Sequence, residues 1–372
     1  MVRPTDPHVN FDFFGPSLDV SWIRQSCATL RFGKSMSTDA IVQVSNVSVE
    51  YETKTSNVLA VNEVSFELAH GQKLGIVGES GSGKSTLGTA ICGLTRFPAR
   101  ITSGSVQIGG KNLLELNSSE RRLTMLRDVA YIPQAAMNSL NPSMRIRDQF
   151  LDALERGTKK KERAGFEDII ESRLLRVGLD LSLLNRHPHE LSGGQKQRIV
   201  IAISTILSPK IIVADEPTSA LDVIIQRQVL QSLSEVQKVN NAAVILIGHD
   251  IGLLAQFVDT LAIMYAGKIV ELGSLETLLT SPQHPYTKKL IASVPTILKR
   301  ETLIGIPGLP PSLNDLPIGC SFQPRCTEQI DKCSISRPEL VKITNRHVAC
   351  WLHDSKNTFE DTPINVRKDK NV

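Results

Sequence analysis

The sequence predicts an α/β fold, built on one largely parallel sheet with helices on both faces and a smaller C-terminal region appended. Three observations predict it. Short apolar runs at 73–77, 211–214 and 243–247 alternate with segments of helical period, as strands buried on both faces require. The first run leads into Gly78-Glu79-Ser80-Gly81-Ser82-Gly83-Lys84-Ser85-Thr86, which fits the pattern Gly, four residues, Gly, Lys and Ser or Thr. The second run ends on two carboxylates, Asp215 and Glu216, at the edge of the sheet where such folds bind ligands.

The elements follow in order. Residues 42–51 and 60–68 alternate apolar and polar, and read as antiparallel strands joined by the polar turn 52–57. The turn 69–72 enters the first buried strand, and 87–92 continues as a helix before Gly93. A short strand is expected over 104–110 and another over 129–132, ending at Pro133-Gln134. Residues 143–190 are helical in period and rich in Arg, Lys and Glu. The basic loop Lys159-Lys160-Lys161 breaks them and reads as a solvated connection rather than a dock for an acidic partner. Helices follow over 196–207 and from Asp222, and 261–273 reads as a hairpin turning at Ala266-Gly267.

The expected organisation is an extension over 1–40, a nucleotide-binding core over 41–280 with a helical part near 135–195, a C-terminal domain over 281–353 and a polar tail over 354–372. Extension and tail are expected to be disordered, and translation is expected to start at Met36. No charged and apolar leader resembles a secretory signal. The chain has 372 residues, 41% of them hydrophobic, and a net charge of +4, a balance that does not call for nucleic acid. No apolar run approaches the roughly 18–20 residues that span a bilayer.

The chemistry begins at the glycine-rich loop. Glycines let backbone N–H groups close on phosphate oxygens, and the following helix adds the positive end of its dipole. Lys84 can reach the β and γ phosphates and the Ser85 hydroxyl can ligate Mg²⁺. Asp215 can hold the Mg²⁺ shell, and Glu216 can polarise a water for attack on the γ-phosphate. His249 closes the strand 243–247 and can meet the same phosphate, whereas Gln134 alone is a weak signal. Ser192-Gly193-Gly194-Gln195 opens a helix and offers a second anion site, which makes sense if it serves the nucleotide of a partner chain. Cys320, Cys326, Cys333 and Cys350 fall at C-x5-C-x6-C-x16-C, wider than usual zinc pairs. Four thiolates could hold Zn²⁺ or an iron–sulfur cluster, and oxidisable thiols remain the bland alternative.

Taken together, these motifs resemble the ATP-binding subunits of ABC transporters. The resemblance runs through Tyr51 (adenine-stacking loop), residues 78–86 (Walker A), Gln134 (Q-loop), 191–195 (signature), 211–216 (Walker B), Ser219-Ala220-Leu221-Asp222 (D-loop) and His249 (switch). It implies a RecA-like parallel-sheet core with an antiparallel β subdomain and a helical subdomain. Glu216, His249 and Gln134 would be catalytic, and Tyr51 and Gly78, Glu79, Ser80, Gly81, Ser82, Gly83, Lys84, Ser85 and Thr86 would bind ATP. Ser85, Gln134 and Asp215 would surround Mg²⁺, while Ser192, Gly193, Gly194, Gln195 and Asp222 would close on the ATP of a second ATPase subunit, identical or homologous. Asn138-Ser139-Leu140-Asn141-Pro142, His284-Pro285-Tyr286-Thr287 and 306–311 are similar to the oligopeptide/dipeptide importer group, as is Gly319-Cys320-Ser321-Phe322-Gln323-Pro324-Arg325-Cys326. That group implies two permease subunits, an extracytoplasmic solute-binding protein and a place on the cytoplasmic face of the membrane. It also implies a [4Fe–4S] cluster, with Zn²⁺ the alternative, on the four cysteines. Ala135-Ala136 stands where the group more often has Asp-Pro, which leaves oligosaccharides or nickel complexes open as cargo. ABC ATPases of DNA repair or translation carry long coiled-coil insertions or tandem ATPase domains, and neither is present here.

Overall fold

The computed structural model describes residues 40–54, 56–157, 165–219, 221–293 and 305–353. The expectations for Met36 and the N-terminal extension, for Lys159-Lys160-Lys161 and for the polar tail lie outside them. β1 (Ala40–Glu52) and β2 (Asn57–Ala69) pair antiparallel and bury Val42, Val44, Val47 and Val49 of the first with Val61, Val64, Phe66 and Leu68 of the second in one core cluster. β3 (Lys73–Val77) follows, then α1 (Lys84–Ile91). β4 (Ala99–Ile108) reaches further back than the expected start at 104. The reason is Gly104, whose φ of +87° carries the strand through a break in register against β1, where a Cβ would strike the Asn46 and Ser45 carbonyls. β5 (Lys111–Asn112) completes a four-stranded sheet in the order β2-β1-β4-β5.

α2 (Ser118–Arg127) was not expected from periodicity, because its Leu123 is exposed and no apolar stripe marks it. Its signal is the cap: Asn117 accepts from the Ser119 and Glu120 amides. β6 (Val129–Ile132) matches expectation. The helical stretch that follows resolves into α3 (Ile146–Gly157), α4 (Phe166–Arg176) and the 3-10 turns Leu181–Asn185 and Pro188–Glu190. Then come α5 (Gly193–Ser204), β7 (Ile211–Asp215), α6 (Val223–Asn240), β8 (Ala243–Gly248), α7 (Ile251–Leu254), β9 (Thr260–Tyr265) and β10 (Lys268–Ser274). Ala266 and Gly267, both at positive φ, make the expected hairpin turn.

The C-terminal part contains α8 (Leu275–Thr280), α9 (Pro285–Ala292), α10 (Lys332–Ile335), β11 (Val341–Ile343) and β12 (Arg346–Val348). β12 pairs with β10, so the second sheet runs β11-β12-β10-β9-β3-β8-β7-β6, parallel from β9 to β6. The low periodicity beyond residue 281 therefore hides two strands that prolong the main sheet. Glu271 on β10, fully buried, accepts from the Gln283 and His284 amides and from Arg346, which fastens the region down.

Alternation divides the core. Ile211, Val213, Ile245 and Ile247 face β1, β2 and α1, whereas Ile212, Ala214, Val244 and Leu246 face the helices α3 to α6. A sheet covered on both sides leaves its carboxyl edge, with the ends of β3, β7 and β8, as the place for chemistry.

Candidate active site

The glycine-rich loop leaves β3 and enters α1 directly. Gly81 and Gly83 have φ of +77° and +99°, and Gly83 packs so closely on the Ala60 carbonyl that a Cβ would overlap it. Lys84 is buried and folds back into the loop. Its Nζ donates to the Gly78 and Glu79 carbonyls at 2.9 and 2.8 Å. Desolvation pulls its pKa down, against the opposing charges of Glu216, Asp215 and Glu79. Tyr51, at the end of β1, places its hydroxyl 3.1 Å from that of Thr86, so its ring stands beside the start of α1.

The two carboxylates that follow β7 separate in role. Asp215 is buried and accepts from Ser85 Oγ at 3.1 Å and from the Tyr131 hydroxyl at 3.4 Å. Burial raises its pKa, partly offset by the Ser85 bond, and burial beside Asp215 likewise pushes the Tyr131 phenol up. Glu216 has left the strand with φ of +44°. Its amide donates to the Ile247 carbonyl, and its own carbonyl accepts from Ser219. That turn presents its carboxylate to two other residues expected in the site, with Gln134 Nε2 donating at 3.2 Å and His249 Nδ1 at 3.1 Å. The His249 side chain is 70% exposed, so its ring is accessible from the open side of the sheet edge.

Ser85 and Asp215 thus meet, and Glu216, Gln134 and His249 meet beside them. Gln134 bonds to Glu216 and not to the Ser85–Asp215 pair. The signature residues stand apart from this group. Ser192 caps α5 by accepting from the Gln195 amide, and Gln195 accepts in return from the Ser192 amide. Gly193 packs beside Met137 and Leu221, and Gly194 against Ile225, where a Cβ would come within 2.5 Å. Asp222 caps α6 through the Ile224 and Ile225 amides.

Residues 61–219 match the family model described as ABC transporter, and residues 270–333 match that of the oligopeptide/dipeptide transporter C-terminal region. The dipeptide transport ATP-binding protein DppD of Bacillus subtilis is 40% identical over 323 residues, 86% of this chain and 96% of that protein. The oligopeptide transport ATP-binding protein OppD of Escherichia coli is 38% identical over 84% of this chain and 93% of its own length. The chain belongs to the ATP-binding subunits of ABC transporters. A solved ATP-binding cassette, described as a dimer in a post-hydrolysis state bound to ADP and Pi, superposes with a TM-score of 0.54 at 26% identity. It covers 63% of this chain and 98% of that one. As an ABC ATPase the chain hydrolyses ATP, and no helix among its described residues is long and apolar enough to cross a membrane.

The expected metal centre on the cysteines is not borne out. Cys320, Cys326, Cys333 and Cys350 are all free, yet among the described residues no group of three or more His, Cys, Asp or Glu is arranged to hold a metal ion. Burial raises the thiol pKa of Cys320 and Cys326 and pushes that of Cys350 up to about 12, and the nearness of the other cysteines adds to each shift. Cys320 and Cys326 pack on the apolar core beside Phe322, and the Cys320 amide donates to the Cys333 carbonyl.

Residue spacing missed two partners of the site. In the sequence Tyr131 falls within a strand pattern and Arg325 within a C-terminal motif, and neither spacing points to the site. The guanidinium of Arg325 grips the Glu79 carboxylate at 2.6 and 2.9 Å from 246 positions away.

Proposed function

We infer that the chain is the ATP-hydrolysing subunit that powers a membrane importer of peptides, with residues 78–86 holding the triphosphate. The carrying observation is the Glu216 carboxylate, held at the end of β7 between Gln134 and His249 and next to the Ser85–Asp215 pair. Lys84 exchanges its two carbonyl partners for phosphate oxygens. Its buried ammonium, short of solvent, gains more there than an exposed lysine would. Tyr51 stacks on the adenine. Glu216 takes a proton from the attacking water, Gln134 orients that carboxylate, and His249 reads the γ-phosphate.

The oxygen donors of Ser85 and Asp215 suit Mg²⁺, which when bound neutralises charge on the β and γ phosphates. Burial disfavours the Asp215 charge in the bare protein, and this fits a carboxylate meant to face a cation.

The signature residues serve a second site. Ser192 and Gln195 satisfy each other, and the Gly193 and Gly194 amides in the first turn of α5 have no partner within the helix, a surface suited to a phosphate presented by another ATPase subunit. Two permease subunits and an extracytoplasmic solute-binding protein complete the proposed importer, and the permeases would hold the chain at the cytoplasmic face. The family relatives named for dipeptide and oligopeptide transport support peptides over the other cargoes.

Glu216→Gln tests the reading. It is expected to bind ATP, stop turning over and accumulate as an ATP-bound dimer by size exclusion; undiminished hydrolysis would overturn the assignment of the base.

A further inference from the structure

Glu79, the second residue of the phosphate loop, is held by three groups at once. Its carbonyl accepts from Lys84, its amide donates to the Tyr286 hydroxyl at 3.0 Å, and its carboxylate receives the planar fork of Arg325. Two of those three partners come from the region beyond residue 281. Arg325 is nearly buried and its donors are committed: Nε to the Pro307 carbonyl at 2.9 Å, Nη1 also to the Tyr265 hydroxyl, Nη2 also to the Ile306 carbonyl. The bond to Glu79 is the first cause holding its pKa above the ordinary range. Tyr286 is fully buried and packs with Tyr265 and Phe322 at ring separations of 4.6 and 5.4 Å, so the hydroxyl that takes the Glu79 amide has little freedom. Tyr265 ends β9, next to β3 from which the phosphate loop springs.

We propose that Arg325 is a positioning residue for nucleotide binding: with Tyr286 it straps the C-terminal region to Glu79 and so sets the shape of the phosphate loop. A glycine-rich loop has many accessible conformations, and affinity depends on how few remain before the ligand arrives. A bidentate charge-assisted pair fixes orientation as well as distance, which a single hydrogen bond does not. The C-terminal region is thereby a structural part of the ATP site, so a displacement of the segment around Arg325 is felt at the phosphates. The proposal rests on the reading of residues 78–86 as the ATP site.

The test uses the full chain with MgATP as the probe, measured by equilibrium binding and by hydrogen exchange. Arg325→Met is expected to weaken MgATP about tenfold, roughly 1.4 kcal/mol. Exchange should rise in peptides covering residues 78–86, while peptides from α6 and β8 keep their protection. The double variant Glu79→Gln/Arg325→Met should stay as weak as Arg325→Met, because the strap is absent from both; recovery of wild-type affinity would trace the loss to an unpaired Glu79 charge and overturn the proposal. Wild-type affinity in Arg325→Met, or a rise in exchange spread evenly over the chain, would overturn the proposal. If Arg325→Met does not fold, Arg325→Lys keeps the charge but loses the planar fork. It should still weaken MgATP, and wild-type affinity in that variant overturns the proposal equally. A wild-type chain that bound no MgATP would instead refute the nucleotide reading itself.

Discussion

Two regions of this chain were marked in the sequence by spaced motifs, and folding treated them differently. Around the phosphate loop, residues from four separated stretches arrive within hydrogen-bond reach: Ser85 on Asp215, and Gln134 and His249 on Glu216. The four cysteines are closer together in sequence and near enough in the fold to feel one another's charge, yet among the described residues no group of three or more is arranged to hold a metal ion. The difference lies in what each spacing implies. A residue ending a buried parallel strand has its position dictated by the sheet, so motifs at the ends of β3, β6, β7 and β8 must converge on one edge. Cysteines in a proline-punctuated segment have no such frame, so they can come near one another without taking up ligand geometry.

The comparison can be broken or sharpened by experiment. The largest effect is expected at Glu216→Gln, where steady-state hydrolysis should fall by about 10³-fold, within the range for loss of a general base. Tyr51→Ala comes next. Removing a base-stacking ring should weaken ATP roughly tenfold, while Tyr51→Phe, which loses only the Thr86 hydroxyl contact, should stay near wild type in fluorescence titration.

Asp215 yields a pH test. Burial raises its pKa in the fold above the ordinary 3.8, so the folded chain holds the proton more tightly than the unfolded chain. Its contribution to stability is therefore fully present below the ordinary value and is lost as pH rises through the raised one. Without nucleotide and Mg²⁺, Asp215→Asn should melt about 2 °C above wild type at pH 7, with the gap closing near pH 4, by calorimetry. No gap at pH 7 would show that Ser85 and Tyr131 already compensate the buried charge.

The smallest effect is expected at Cys333→Ser. A buried hydroxyl in place of the thiol should lower the melting temperature by about 2 °C and leave MgATP affinity within about twofold of wild type. Iron or zinc in stoichiometric amount, by metal analysis of anaerobically purified protein, would break the comparison by making the cysteine region a ligand site like the other.

The sequence by itself determined what depends on local pattern. Strand identity followed from uninterrupted apolar runs, the loop from its glycines, and the hairpin from Ala266-Gly267. The caps at Ser192 and Asp222 needed only their immediate neighbours. α2 escaped because an exposed helix has no apolar period, and β11 and β12 escaped because three residues are too few to alternate visibly. The tertiary structure alone decided contacts between distant stretches. Gln134 could have joined Ser85 and Asp215 but bonds to Glu216, because both lie at neighbouring strand ends, β6 and β7. In the sequence Glu79 stands as one of the expected ATP-binding residues. Its partner, Arg325, could not be found from spacing, since chain separation does not restrict which charge a folded sheet edge brings to meet another.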